Sequence, residues 1–401
     1  MQSAKLDTQS DLTVASFLRF LALASAVFTT VVSFRLAAQQ VTNTAVVASN
    51  VVDRMRLQSG ERVLLVAIPG RSDSLIRALR QRIAAAGATD LGVLSAFGDA
   101  HSTWVTDFTR AAPAARADLA NHLASVDLAV MLPGVTLPAP VYSAMQDVLR
   151  SGKGRTIHFH WEGAYALDGS ALPVTPERGR FYEMALRATD YSALAGIQAE
   201  FERSARAAPI HVTTPAGTDI TFRVGDRPVT KQDGDASAER ARQGQNLIDR
   251  EIELPAGAIR VAPIEESVNG RIAFPPGIWG GERVEGLVMQ FRAGRVTDFT
   301  ASTGRGGVER ELTEAGDGSR SFREFALGFN PFLAIPDRGE RWIPYYGYGA
   351  GVVRLSLGDN TELGGRVESD YVRWNFFTDA TVMVGRDTWV SNGKLVKQGP
   401  R

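Results

Sequence analysis

GERVLLVAIPG (residues 60–70) followed by SLIRALRQRIAAAGA (residues 74–88) is the pair of segments that decides the fold. The first is an apolar run opened by Gly60 and closed by Pro69-Gly70; the second has helical periodicity and stops at Gly87. A continuous apolar strand leading into an amphipathic helix is the repeating unit of a parallel sheet covered on both faces. The unit recurs on either side. Upstream, TAVVASNVVDRM (44–55) has helical period. Downstream come DLGVLSAF (90–97), a helix through AAPAARADLANHLASV (111–126), the strand DLAVMLPG (127–134), the helix APVYSAMQDVLRSG (139–152) and the strand RTIHFHW (155–161). The pattern predicts a doubly wound α/β domain over residues 39–205, ending in a helical stretch from Glu177 to Ala205.

Beyond residue 205 the texture changes. PIHVTTPAGTDITFRVGDRPV (209–229) reads as a hairpin with a Pro-Ala-Gly-Thr turn. From residue 250 short β-type runs are separated by Gly and Pro: AIRVAPI, RVEGLVMQFRAGRVTDFTA, GVVRLSLG, YVRWNFFTDATVMVG and DTWVSNGKLV. Residues 206–401 are therefore expected to form a mainly β (α+β) domain, with the polar segment 225–247 as a surface loop or flap.

Composition removes several functions. A chain of 401 residues with 44 Lys+Arg, 44 Asp+Glu and 44% hydrophobic residues is globular and long enough for two or three domains. Its zero net charge gives it no electrostatic reason to bind nucleic acid. With no Cys, thiolate metal sites, cysteine nucleophiles and redox dithiols are excluded. The first strand–helix turn, IPGRSDS, has one glycine, so no dinucleotide or P-loop fingerprint is present. The five His (His101, His122, His158, His160, His211) all lie in the first 211 residues.

Between Arg19 and Arg35 runs FLALASAVFTTVVSF, fifteen uncharged residues followed by RLAAQQ. A secretory h-region needs 7–15 apolar residues and a spanning helix about 20. Residues 1–38 are thus expected to be a signal peptide cleaved near Ala38, or an N-terminal anchor, and the chain periplasmic or secreted.

LPAGAIRVAPIEESVNGRIAF, VEGLVMQFRAGRVTDFTA, FREFALGFNP, GVVRLSLGDN and RVESDYVRWNFFTDATVMV occur in an order and spacing that resemble the aminopeptidase T family of thermophilic metallo-aminopeptidases. GERVLLV and PAGTDITFRV add to the resemblance, which covers most of residues 45–398. It implies a dimeric exopeptidase with an α/β domain and a β-rich domain, two divalent metals (Zn, Co or Mn) and a peptide substrate. Two cations sharing a water need bridging carboxylates and imidazoles.

Compared residue by residue, the ligand set is depleted. The first ligand Glu of the family falls on Ala258, the second is kept as Glu324, the ligand His falls on Arg354, and the final His-x-Asp falls on Arg373 and Asn375. The active-site Tyr falls near Thr361. Arginine has no lone pair to give a metal, and no shift of register supplies a histidine after residue 211.

Two functions stay open. One is an exported aminopeptidase that hydrolyses, or at least binds, the N-terminal end of peptides, with Glu324 catalytic and Glu265 or Glu266 completing a metal site on carboxylates. The other is a pseudoenzyme without a metal that grips a small carboxylate or peptide through Arg354, Arg373 and Asn375, close to Glu324. A third, oxygen chemistry at a single iron as in dihydroxypyridine-ring-opening relatives of the fold, also wants His ligands. His158, His160 and Glu162 alternate in RTIHFHWEG and share one face of a strand, a pattern open to a metal set or to a plain polar strand end. Trp342, Tyr345, Tyr346 and Tyr348 either line a cleft or pack a loop or dimer contact.

Overall fold

The computed structural model describes residues 44–99, 103–136 and 138–397; the expected export segment lies outside them. Arg62–Ala67 forms a strand within a five-stranded parallel sheet of order Thr89–Ser95, Arg62–Ala67, Leu128–Met131, Arg155–His158, Glu251–Glu253. Its alternate residues enter two different cores. Val63, Leu65 and Ala67 join Val51 and Met55 of a helix over residues 44–55 and Leu79 and Ile83 of helix Asp73–Ala85. Leu64 and Val66 join Leu119 and Leu123 of helix Arg116–Leu123 and Val141, Met145 and Val148 of helix Pro140–Arg150. The α/β part is therefore doubly wound.

Its fifth strand, Glu251–Glu253, comes from beyond residue 205. Ile252 enters the core and the flanking glutamates turn to the opposite face, the period-2 rule of any strand. The helical stretch from Glu177 is two helices, Pro176–Ala188 and Tyr191–Ala207, because the Asp190 carboxylate caps the second by accepting from the amides of Ser192 and Ala193 at 3.0 Å each. Segment 225–247 is more than a loop: Thr230–Lys231 pairs with Ala258–Val261, Ala238–Gln243 is a helix capped by Ser237, and the fully buried Gln232 donates to the Glu251 carbonyl at 2.9 Å. Its polar side chains are satisfied inside the protein, which is why hydropathy alone places it at the surface.

The remainder is built on two large antiparallel sheets and a two-stranded hairpin, Gly277–Trp279 with Glu282–Val284. One has eight strands, in the order Arg295–Thr300, Val288–Arg292, Asn269–Ala273, Asp219–Phe222, Ile210–Thr213, Thr381–Val384, Asp387–Ser391, Lys394–Leu395; the hairpin at 209–222 is at its centre. The other orders Val372–Arg373, Val353–Gly358, Phe322–Gly328, Ala258–Val261 and Thr230–Lys231, with Phe376–Phe377 pairing to Val353–Gly358 off this path. Ile259, Val261, Phe325, Leu327, Val353, Leu355 and Leu357 turn one face of this second sheet into the main core, where Phe325 meets Phe201 and Phe222. Among the described residues no helix is long and apolar enough to cross a membrane.

Candidate functional site

The other face of that sheet and the carboxyl ends of the parallel strands enclose a cleft of about 540 Å³. Carboxyl ends of parallel strands are where open α/β sheets bind ligands. His160, Glu162, Glu251 and Glu253 line one wall, Arg260, Arg354 and Glu362 another, with Tyr142, Tyr346, Tyr348 and Trp374 between them.

The guanidinium wall follows from strand register. Ala326 pairs with Arg260 on one side and Arg354 on the other, so the two arginines stand in one cross-strand row with Glu324 diagonal to both. The pairing is interrupted between Phe322 and Glu324, a bulge. It lets Phe322 and Phe325 both enter the core while Arg323 and Glu324 join the ionic cluster. Glu324 is completely buried. Its Oε2 accepts from Arg260 Nε at 3.1 Å and Nη2 at 3.0 Å; its Oε1 lies 2.8 Å from Arg354 Nε and 3.3 Å from the Ser356 hydroxyl. Arg260 also reaches Glu362 at 3.0 Å, and Arg323 donates to the same carboxylate. Burial by itself would raise the Glu324 carboxyl, but the charges of Arg260, Arg354 and Arg323 outweigh it and hold the group well below the usual carboxylate range.

This corner does not fit a metal ion. Its surviving carboxylate already has guanidinium groups on both oxygens, Ala258 has no donor, and Arg354 brings a fixed positive charge where a cation would sit.

The opposite wall is built by register too. Thr156 pairs with Glu251 and His158 with Glu253, placing all four on one face of the parallel sheet. Helix Pro140–Arg150 covers that face: the Tyr142 hydroxyl donates to Glu251 Oε1 at 2.9 Å and the Gln146 amide to Oε2 at 2.6 Å. His158 Nδ1 lies 3.4 Å and His160 Nε2 3.6 Å from Glu251 Oε1. Burial pushes the His158 imidazole down to about 4, against the pull of Glu251. For His160 burial also acts downward, but the bond to Glu251 and the charge of Glu253 prevail and raise it. Glu251 would be raised by burial, yet the two imidazoles and Gln146 hold it well below its usual value.

Of the residues expected to share a site with Glu324, the structure brings Arg354 to it and takes Arg373, Asn375, Glu265 and Glu266 elsewhere. The Arg373 guanidinium lies 3.5 Å from the centre of the Trp279 ring, pairs with Glu311 at 2.8 Å and donates to the Ile278 carbonyl at 2.8 Å, facing a separate cavity of about 300 Å³. Asn375 accepts from Arg373 Nε at 3.3 Å and donates to the Leu355 carbonyl at 3.2 Å. Glu265 is held by Arg227 and by the Arg366 amide at 2.8 Å, and the exposed Glu266 by the Arg366 side chain, so this pair ties loops together. Glu162 lines the cleft beside His160 with its Oε2 buried and without a hydrogen-bond partner. Sequence reading passed over Arg260, Glu251 and Glu253. The signal was present as A-I-R-V and E-I-E, polar residues alternating with apolar ones inside buried strands.

The aromatic run divides: Tyr346 and Tyr348 line the cleft, while Trp342 and Tyr345 pack in a buried cluster with Tyr182 and Leu333. Tyr345 and Tyr346 have φ of 45° and 54°, left-handed values that cost a non-glycine residue about 1–2 kcal/mol each. Hydrogen bonds hold them there: Tyr345 hydroxyl to the Leu254 carbonyl at 2.7 Å, Tyr346 amide to the Gly163 carbonyl at 2.9 Å, and Arg354 Nη1 to the Tyr346 carbonyl at 3.0 Å. A Cβ on Gly163 would stand 2.2 Å from Cε2 of the Tyr346 ring. Gly163→Ala is therefore expected to displace that ring and lower stability by about 1–3 kcal/mol, an overpacking penalty read from the urea midpoint. An unchanged midpoint would show that the ring is not held there.

The model of the thermophilic metalloprotease family (M29) matches residues 198–334. Among solved structures, 2,5-dihydroxypyridine dioxygenase from Pseudomonas putida KT2440 is similar with a TM-score of 0.58 and 17% identity, over 88% of this chain and 96% of that one. Wild-type AmpT from Thermus thermophilus is similar with a TM-score of 0.56 and 19% identity, over 89% of this chain and 99% of that one. None of the curated proteins matches the chain. At these identities the two structures show a shared fold. The family match covers about a third of the chain, residues 198–334.

Proposed function

We propose that this protein is an aminopeptidase-like binder of short peptides or free amino acids, held in the cleft as zwitterions. The ligand carboxylate pairs with Arg354 and Arg260, and the ammonium group with Glu253, Glu251 or Glu162. The opposed charges across one cleft support this assignment, because a guanidinium wall facing a carboxylate wall complements a ligand charged at both ends. Tyr346, Tyr348 and Trp374 offer apolar faces to a side chain between the ends. The M29 match and the AmpT-like fold agree with a peptide-end ligand. A two-metal hydrolytic step at Glu324 is not part of this function, since the groups there are paired with one another.

The test is thermal stabilisation of the full chain by a panel of free amino acids and dipeptides, together with turnover of aminoacyl chromogenic substrates with Zn, Co or Mn added. Stabilisation by zwitterionic ligands, weakened about 10–100-fold in Arg354→Gln through loss of a charge-assisted hydrogen bond, is expected. Metal-dependent turnover that vanishes in Glu324→Gln while the protein stays folded would replace binding by hydrolysis.

A further inference from the structure

The acidic wall holds a second feature, centred on its two histidines. His158 is fully buried, and its Nδ1 has no hydrogen-bond partner although Nε2 lies 2.9 Å from the Thr156 hydroxyl. With Nε2–H donated to Thr156, the Nδ1 lone pair is left facing Glu251 Oε1 at 3.4 Å. His160, stacked on His158 with ring centres 5.1 Å apart, brings Nε2 to 3.6 Å from the same oxygen. One ligand atom from each of His158, His160 and Glu251 lies within 4.8 Å of the others. Donors bound at about 2.0–2.1 Å in a tetrahedral shell stand about 3.4 Å apart, so the two measured His–Glu separations suit one shared ion.

The geometry points to a divalent first-row transition-metal site formed by His158 Nδ1, His160 Nε2 and Glu251, open to the cleft on the His160 side. The supporting groups are those a metal site requires around its ligands. The Thr156 hydroxyl is placed to accept the Nε2 proton of His158 and leave Nδ1 for the ion, and Tyr142 and Gln146 orient the Glu251 carboxylate. Imidazole and carboxylate donors without thiolate select Zn, Co, Fe or Mn rather than a soft ion. The site lies on the parallel sheet, whereas the metal ligands implied by the aminopeptidase T resemblance fall on the antiparallel sheet around Glu324. It does not rest on the zwitterion ligand, and either can fail alone.

Co(II) titration of the metal-stripped full chain tests it, followed by the visible d–d absorption of the bound ion and by elemental analysis. One equivalent is expected. Tyr142→Phe should weaken it about 10–100-fold, the usual effect of losing an outer partner, and His160→Ala should weaken it more. Glu265→Gln should leave it unchanged. Because Tyr142→Phe removes a single oxygen, it keeps the test usable if the histidine variant fails to fold. A folded wild-type chain that takes up no cobalt, or one whose affinity is indifferent to both Tyr142→Phe and His160→Ala, would overturn the site and leave the three residues as a buried ion-pair cluster.

Discussion

Glu324→Gln should lower the unfolding free energy by about 3–5 kcal/mol at neutral pH, the largest loss expected from any single change in the cleft. The glutamate has no solvent exposure, and its carboxylate is the shared counter-ion of Arg260 and Arg354. An amide keeps the shape but removes the charge, leaving two nearly buried guanidinium groups with Glu362 as the remaining nearby partner of Arg260. The pH dependence distinguishes this from lost packing. Because the folded-state value of Glu324 is depressed, its stabilisation is present above the ordinary carboxyl value of 4.5 and is lost as the pH falls towards the folded value. The gap between wild type and variant in urea unfolding should thus be constant from pH 7 to about 5 and narrow at lower pH. A gap below about 1 kcal/mol that ignores pH would mean that the glutamate is not held as an ion.

The strand–helix alternation from residue 44 to 161 was legible because the strands Arg62–Ala67 and Leu128–Met131 carry continuous apolar runs between helical segments. The fifth strand was not, since Glu251-Ile252-Glu253 is short and two-thirds acidic. Only the tertiary context, with Tyr142 and Gln146 arriving from a helix more than a hundred residues earlier, shows what those carboxylates do. The site was half legible. Comparing motifs put Arg354 opposite the retained Glu324, and the register of adjacent strands makes that a contact. The same comparison put Arg373 there as well, but that residue is on a two-residue strand whose side chain is captured by Trp279 and Glu311. Capture of this kind depends on which loop passes nearby, and neither periodicity nor spacing encodes it. Arg260 escaped, and so did Glu251 as the partner of the His158–His160 pair, for the same reason: their partners come from strands 64 and about 90 residues away.

Replacing the whole ionic row by apolar groups, Arg260→Met with Glu324→Leu and Arg354→Met, should have the opposite effect on stability and a larger one on function. Breaking a buried ion pair leaves an uncompensated charge, whereas removing all of it also removes the desolvation penalty; such replacements are often neutral or stabilising by about 1–4 kcal/mol. The surroundings permit it, because Ala258 and Ala326 flank the row and Glu362 keeps Arg323 as a partner. The triple variant should therefore unfold at a urea concentration equal to or above that of the wild type. With both guanidinium groups gone from the cleft, stabilisation by zwitterionic amino acids and dipeptides should disappear altogether. If the row served stability, the triple variant would be weaker than the wild type and would still respond to ligands. The separation of these two readouts is what assigns the arginines to the ligand, since a cluster kept for function can be removed without loss to the fold that carries it.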